Sequence, residues 1–196
     1  MSFRSHRVPA DLTASRLAEV RDHMGEVPFD LTNSNPTSCD FPYPDHLLDA
    51  LSHERGLVHH PDPRGHLSTR KAAALEYRKW RIEVDPDRVF LTASTSEAYG
   101  FLFRLLADPG ETVLVPAPSY PLFDHLARLD GIAVQSYSLE PDTGWRIDFS
   151  TLENVPDNVR ALVVVHPNNP TGTTVAQEAF DRFLEALPEN VVVIGG

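Results

Sequence analysis

Short apolar runs alternate with amphipathic stretches along the chain from residue 46 onward. Runs that are continuous or β-branched predict strands, and apolar residues spaced three or four positions apart predict helices. Strands that alternate with helices favour right-handed crossovers and a parallel sheet, and continuous apolar strands indicate a sheet covered on both faces. The pattern therefore predicts an α/β fold with a mostly parallel sheet and helices on both faces. The predicted strands cover residues 89–92, 112–115, 133–137, 160–165 and 191–194.

The same pattern predicts helices before and between these strands. They cover residues 12–24, 45–52, 97–106 and 120–129, with a further one that starts at Ser68 or Thr69 and runs through Trp80, and a last one that presents Phe180, Phe183, Leu184 and Leu187. Ser68 or Thr69 could cap its helix. Residues 1–45 lack the regular alternation, so we expect an N-terminal arm over 1–45 and one domain over 46–196.

The composition narrows the function by exclusion. The formal charge is −11, from 17 basic and 28 acidic residues, which disfavours non-specific binding to nucleic acid. No apolar run is long enough to cross a membrane and the N-terminus lacks an apolar signal core, so we expect a cytoplasmic location and no membrane partner. The single cysteine, Cys39, permits no internal disulfide. The histidines match no metal-ligand spacing, and no metal site is predicted.

A loop rich in hydroxyl groups joins the predicted strand 89–92 to the helix that follows. Ser94 and Glu97 fit a capping box, and Thr95 and Ser96 add two hydroxyls at the helix start. The first N–H groups of a helix are unpaired and carry partial positive charge, so they favour a phosphate. Plain capping of the helix is the alternative, and this segment alone leaves both interpretations open.

Two further polar loops follow predicted strands. Tyr120 lies in the proline-rich stretch 116–121, where it could stack on a flat ligand or pack against the next helix. Asn169 lies in the stretch 168–172 and could donate its amide to a ligand oxygen, or the stretch could be a plain turn. Both loops follow strands of a parallel sheet, where α/β folds bind ligands outside the carboxyl ends of the strands.

These three loops occur in the order, and at the strand ends, that one enzyme family shows. With Pro-Asp-Pro-Arg-Gly at 61–65 and Asp-Pro-Gly at 108–110, they resemble the class I and II aminotransferases, fold-type-I enzymes that use pyridoxal 5′-phosphate (PLP). Asn-Pro-Thr-Gly at 169–172 is weak alone, whereas the ordered set is specific. The resemblance implies the large PLP-binding domain of these enzymes, and transfer of an amino group from an amino acid to a 2-oxo acid by a homodimer.

The resemblance also implies roles for individual positions. Hydroxyl groups at the helix start would bind the PLP phosphate, an aromatic ring would stack on the pyridine ring, and an amide would donate to the phenolic oxygen. These positions hold Ser94, Thr95 and Ser96 for the phosphate, Tyr120 for the ring and Asn169 for the phenolic oxygen. Residues 31–36 resemble the segment that contacts the substrate, so Ser34 and Asn35 are candidate substrate-binding residues, with Ser34 where the family usually has glycine.

By the same resemblance, the lysine that forms the aldimine should follow the strand 191–194. Gly195 and Gly196 stand where an aspartate-bearing loop usually begins, and Lys71 and Lys79 match no catalytic position. We therefore expect no catalytic residue in this chain, a truncated large domain that is inactive alone, and a marginal or oligomer-dependent fold.

Two alternatives stay open on the sequence. The same framework supports PLP-dependent lyases, because one fold hosts several reactions. The chain could also be a non-catalytic fragment that binds a phosphorylated ligand, which the missing lysine favours. A Rossmann-type nucleotide binder is disfavoured, since no glycine-rich loop follows the first predicted strand.

Overall fold

A computed structural model of the protein describes residues 5, 7–9, 11–25, 29 and 35–196. Its contacts divide the chain into two compact units. One unit is Asp11–Leu91, and the other is Thr92–Gly196 with the described part of Met1–Ala10. The predicted division at residue 45, into an arm and a domain, stays a prediction.

The unit Asp11–Leu91 is helical and buries few side chains. Helix α1 covers Arg16–Met24 and begins after Ser15, whose hydroxyl accepts from the N–H of Ala18 at 3.2 Å. Helix α2 covers Leu67–Lys79 and buries Arg70 and Ala74. Short 3-10 helices cover Pro36–Ser38, Asp45–Ser52, Glu54–Leu57 and Pro86–Arg88.

Arg70 is the buried charged residue of α2, with 2% of its surface exposed. Its guanidinium donates to four oxygens from two separate segments. They are the carbonyls of Gly65 at 2.9 Å and Pro86 at 2.7 Å, and the carboxylates of Asp87 at 3.1 Å and Asp62 at 3.4 Å. Arg70 thus ties the loop at 62–65 to the segment at 86–87.

The unit containing Thr92–Gly196 is built on a five-stranded sheet in the order β3-β2-β1-β4-β5. Strand β2 pairs antiparallel with β3, and the other neighbours are parallel. Short 3-10 helices cover Pro141–Thr143 and Phe149–Leu152. In chain order the longer elements are α3 (Thr95–Leu106), β1 (Thr112–Ala117), α4 (Phe123–Leu129), β2 (Ala133–Glu140), β3 (Arg146–Ile147), β4 (Val159–Val164), α5 (Gln177–Ala186) and β5 (Val192–Gly195).

Helices cover both faces of this sheet, which confirms the predicted fold class. Alternate residues of a strand point to opposite faces, so Ala161 and Val163 of β4 join one core and Leu162 and Val164 join the other. The first core contains residues from α3 and α4, and the second contains Phe183 of α5. Every side chain in these two cores is buried, so the carboxyl ends of the strands are held on a rigid base.

The segment 89–92 forms no strand, so that prediction is wrong. Its Leu91 N–H donates to the carbonyl of Arg64 at 2.9 Å, and no strand in the described part of the chain pairs with it. The Phe90 side chain is 66% exposed. A strand needs a neighbour for its backbone N–H and C=O groups, and an apolar run does not reveal whether that neighbour exists.

Several predicted boundaries also shift. Strand β1 continues through Pro116. Pro116 lies beyond the residues of β1 that pair with β4, so its missing N–H breaks no hydrogen bond between these two strands. The helix predicted from 120 begins at Phe123, because residues 118–121 contain two prolines. Residue His66, not Ser68 or Thr69, precedes α2, and its side chain makes no capping bond.

No helix among the described residues is long and apolar enough to cross a bilayer. In the same part of the chain, no three side chains of histidine, cysteine, aspartate or glutamate are grouped to hold a metal ion.

Tyr137 lies at the centre of the second core and carries a testable hydrogen bond. Its hydroxyl donates to the carbonyl of Val163 at 2.8 Å, and burial raises the pKa of Tyr137 above its usual value of 10.0. Because the unfolded chain loses this proton first, the stabilisation is complete below about pH 10 and is lost as the pH rises above it.

We expect Tyr137→Phe to lower the free energy of unfolding by about 1 kcal/mol at neutral pH. The variant should then lose less stability than the native chain as the pH rises past about 10. Urea unfolding at neutral and alkaline pH measures both effects, with Tyr77→Phe as the control because the Tyr77 side chain is 49% exposed. If the native chain and Tyr137→Phe lost equal amounts of stability at alkaline pH, the role given to this hydrogen bond would be contradicted.

Candidate functional site

The start of α3 offers an anion-binding surface. The Ser94 hydroxyl accepts from the N–H of Glu97 at 3.2 Å, and the Glu97 carboxylate accepts from the N–H of Ala93 at 2.6 Å. This is the predicted capping arrangement, with the glutamate reaching one residue further back than in the usual capping box. No acceptor among the described residues faces the N–H groups of Thr95 and Ser96. These two donors, at the positive end of a 12-residue helix, can therefore bind an anion.

The three hydroxyl residues at this helix start differ in their surroundings. Ser94 and Thr95 are exposed, and Ser96 is half-buried. The Ser94 oxygen already caps the helix, whereas the Thr95 hydroxyl has no hydrogen-bond partner in the described part of the chain. The Ser96 oxygen lies 3.2 Å from the hydroxyl of Tyr120. Ser96 and Tyr120 are both predicted from the sequence to belong to one site, and the structure brings them into contact.

Tyr120 is held at the carboxyl end of β1. Its ring packs edge-on against Phe123, with the two centroids 5.6 Å apart and the planes at 80°. Phe123 is 2% exposed and belongs to the first core, so the ring of Tyr120 rests on a fixed neighbour. Tyr120 itself is half-buried, which leaves part of the residue accessible to a ligand.

The loop after β4 is locked by Asn168, a residue that sequence reasoning did not select. Its side-chain nitrogen donates to the carbonyl of Pro118 at 3.2 Å and to the hydroxyl of Thr171 at 2.9 Å. Its backbone N–H donates to Thr173, and its carbonyl accepts from Gly172, which has a φ of 68°. Asn168 is 6% exposed, and its neighbour Asn169 is exposed. Asn168 therefore shapes the loop, and Asn169 is presented to solvent.

These contacts join three loops at one edge of the sheet. Ser96 touches Tyr120 on the loop after β1, and Pro118 of that same loop accepts from Asn168 on the loop after β4. Strands β1 and β4 are parallel neighbours, so their carboxyl ends lie side by side. The edge thus combines helix-start donors, hydroxyl groups, an aromatic ring and an exposed amide.

The candidate substrate residues belong to the other unit. Ser34 lies outside the described residues. Asn35 precedes the 3-10 helix Pro36–Ser38, where its side chain accepts from the N–H of Thr37 at 3.0 Å and from the Thr37 hydroxyl at 2.7 Å. The assignment of both residues to substrate stays a prediction.

The chain contains two lysines, Lys71 and Lys79, and both belong to α2. The ammonium of Lys79 pairs with the carboxylate of Glu76 at 2.6 Å, and both side chains are largely exposed. The unit that carries Ser96, Tyr120 and Asn169 therefore supplies hydrogen-bond donors and an aromatic ring but no amine nucleophile from a lysine.

Comparison with known proteins gives consistent matches. A family model described as aminotransferase class I and II matches residues 33–194. Alanine aminotransferase of Mycobacterium tuberculosis is 32% identical over 171 residues, which are 84% of this chain and 39% of that protein. An S-alkyl-thiohydroximate lyase of Arabidopsis thaliana is 32% identical over 144 residues, which are 72% of this chain and 31% of that protein.

Among solved structures, an alanine aminotransferase from Pyrococcus furiosus has a TM-score of 0.76 and 30% identity. The match covers 91% of this chain and 47% of that chain. The chain thus spans less than half the length of each of these three relatives.

Proposed function

The chain belongs to the class I and II aminotransferase family, and on that premise we propose that it forms the cofactor-binding portion of an amino-acid aminotransferase. Members of this family are PLP-dependent enzymes of the transferase class. The observation that carries the proposal is the pair of contacts that joins the start of α3, Tyr120 and the loop of Asn169 at one edge of the sheet.

The residues at this edge fit the parts of PLP. The unpaired N–H groups of Thr95 and Ser96 and the free Thr95 hydroxyl suit a phosphate, which is a multivalent anion with several acceptor oxygens. The Tyr120 ring, supported by Phe123, suits a flat heteroaromatic ring. The exposed amide of Asn169 can donate to an oxygen on that ring.

In the proposed site the chain binds and orients the cofactor. Thr95 and Ser96 hold the anionic end, Tyr120 sets the plane of the ring, and Asn168 keeps Asn169 in place through its bond to Pro118. When bound, PLP supplies an electron sink for bonds at the α-carbon of an amino acid. The substrates would be an amino acid and a 2-oxo acid, and the alanine aminotransferases among the relatives make alanine the first donor to test.

Thr95→Asp tests the proposed phosphate site by charge. An aspartate in the first turn of a helix favours the folded state, so the variant should stay folded. Its carboxylate would repel a phosphate at the helix start, and we expect at least a ten-fold weaker affinity, from about 1.4 kcal/mol or more of repulsion. The measurement is equilibrium binding of pyridoxine 5′-phosphate, an analogue without the aldehyde that could react with Lys71 or Lys79.

Thr95→Asn is the matched control for this experiment. Asparagine has the size of aspartate and lacks its charge, so Thr95→Asn should bind the analogue several-fold more tightly than Thr95→Asp does. Equal affinities for the two variants would contradict the assignment of the α3 start to the phosphate. An affinity of Thr95→Asp equal to that of the native chain would contradict it as well.

Assembly as a homodimer is part of the proposal. Apolar side chains are exposed on the 3-10 helix Asp45–Ser52, where Leu47, Leu48 and Leu51 are 53%, 69% and 82% exposed. Exposed apolar groups of this kind are typical of surfaces that a partner covers. Light scattering coupled to gel filtration should give twice the 21.8 kDa of one chain, and a mass of one chain at all concentrations would contradict it.

We also propose a cytoplasmic role in amino-acid biosynthesis. Cys39 is exposed and unpaired by any disulfide, which suits a reducing compartment. Cell fractionation would decide the location, since recovery of the chain outside the cytoplasmic fraction would refute it.

A PLP-dependent lyase is the second candidate, because one relative at 32% identity is an S-alkyl-thiohydroximate lyase. The two reactions differ in their products. In a protein that contains this chain, the aminotransferase forms a new amino acid from an added 2-oxo acid, whereas a lyase cleaves its substrate without needing that acceptor.

A further inference from the structure

Tyr99 is a buried tyrosine of α3 that lies between two core aromatic residues. Its ring packs edge-on against Phe123, with centroids 4.9 Å apart and planes at 88°. It also contacts Phe103, with centroids 6.0 Å apart. With 5% of its surface exposed, its ring has no freedom to turn away from this position.

The hydroxyl of Tyr99 lies at the carboxyl edge of the sheet. A Cβ atom placed on Gly196 would collide with this hydroxyl, so the end of the tyrosine lies directly against the backbone of residue 196. Gly196 continues β5 at that edge, since its N–H donates to the carbonyl of Val164 at 3.0 Å and its carbonyl accepts from the N–H of His166 at 2.5 Å. The tyrosine side chain thus spans from α3 to the rim beside β4 and β5.

The Tyr99 hydroxyl is open to a partner. It has no hydrogen-bond partner among the described residues, and its oxygen is not among the fully enclosed polar atoms. A buried ring that leaves its hydroxyl unpaired and open at the rim can offer a hydrogen bond to a ligand there.

Tyr99 shares its surroundings with the candidate site. Phe123 packs edge-on against both Tyr99 and Tyr120, and Tyr120 touches Ser96 at 3.2 Å. Burial raises the pKa of Tyr99, and the nearby hydroxyl of Tyr120 raises it further. The Tyr99 phenol is therefore neutral at physiological pH and keeps its proton for donation.

We propose that Tyr99 is a further ligand-contacting residue of this site. Its phenol donates a hydrogen bond to an acceptor atom on the pyridine ring of bound PLP. The inference rests on the proposed function, because it needs PLP at the edge formed by Ser96, Tyr120 and Asn169. The proposal also explains the glycine at position 196, because a side chain there would displace the Tyr99 hydroxyl.

Tyr99→Phe removes the hydroxyl and keeps the ring, so the core stays packed. We expect it to bind pyridoxine 5′-phosphate about 5- to 10-fold more weakly than the native chain, the effect of one lost hydrogen bond. Its affinity for inorganic phosphate, measured by competition, should not change, because the phenol contacts the ring and not the phosphate. Tyr77→Phe, at an exposed position of α2, is the control and should match the native chain in both measurements.

Gly196→Ala provides a second variant that leaves Tyr99 chemically intact. Its methyl group must displace the Tyr99 hydroxyl, so it should weaken binding of the analogue as Tyr99→Phe does. Native affinity in Tyr99→Phe, combined with the loss in Thr95→Asp, would overturn the inference and leave the proposed function standing. A native chain that binds no analogue would overturn both.

Discussion

Replacing Phe103 with alanine is expected to lower the free energy of unfolding by about 3–5 kcal/mol, the usual cost of removing a buried aromatic side chain. Phe103 is fully buried on α3, next to Tyr99 and within the first core. Removing its ring leaves a cavity between α3 and the sheet and deletes the support of Tyr99. Since small domains are stable by only about 5–15 kcal/mol, this loss would remove a large share of the stability of the fold.

The same helix provides a matched control in Phe101. Its side chain is 52% exposed, and it lies outside both cores. Phe101→Ala should cost about 1 kcal/mol or less. Urea unfolding followed by circular dichroism measures both variants, and comparable losses for Phe103→Ala and Phe101→Ala would show that α3 does not pack on the sheet as described.

Replacing Arg70 with methionine should lower the stability of the unit Asp11–Leu91 by about 2–4 kcal/mol. Methionine keeps the apolar stem and removes the guanidinium. The carbonyls of Gly65 and Pro86 then lose a charged donor, and the carboxylate of Asp62 loses its ion pair with Arg70. Asp87 loses Arg70 and keeps only the longer ion pair with Arg64, at 3.7 Å. Because this unit buries few side chains, Arg70 carries a large share of its tertiary contacts.

Arg78→Met is the control for this experiment, on the same helix. Arg78 forms an ion pair with Glu83 at 3.2 Å, and the two side chains are 59% and 80% exposed. Exposed ion pairs contribute about 0–1 kcal/mol, so a small loss is expected. Hydrogen exchange of amides in α2 reports on this unit directly. Exchange that accelerates equally in Arg70→Met and Arg78→Met would contradict the role given to Arg70.

The sheet could be predicted where hydrophobic pattern and turn residues agree. Strands β1, β4 and β5 contain continuous apolar runs, whereas β2 alternates polar and apolar residues from Ser136 onward. Proline or glycine lies near the ends of all four strands, and their predicted positions agree with the structure to within a few residues. The antiparallel strand β3 has two residues, Arg146–Ile147, which is too short for any periodicity to show. The run 89–92 carried a strand pattern without a partner strand, and pairing is a property of the whole fold.

The local part of the site could be predicted, and its long-range contacts could not. The capping by Ser94 depends on residues three positions apart, so it is readable in sequence. The contact of Ser96 with Tyr120 joins residues 24 positions apart and appears only in the folded chain. Of the adjacent residues Asn168 and Asn169, sequence cannot tell which one turns inward, because that depends on where β4 ends and on the position of Pro118.

The central claim is that three loops at one edge of the sheet bind a single PLP molecule. The most direct test is a titration of the isotope-labelled chain with pyridoxine 5′-phosphate, followed by amide proton–nitrogen correlation spectra. We expect the signals of Thr95, Ser96, Tyr120 and Asn169 to shift together with one common affinity. Shifts that spare the start of α3, or that follow different affinities at the three loops, would contradict the claim.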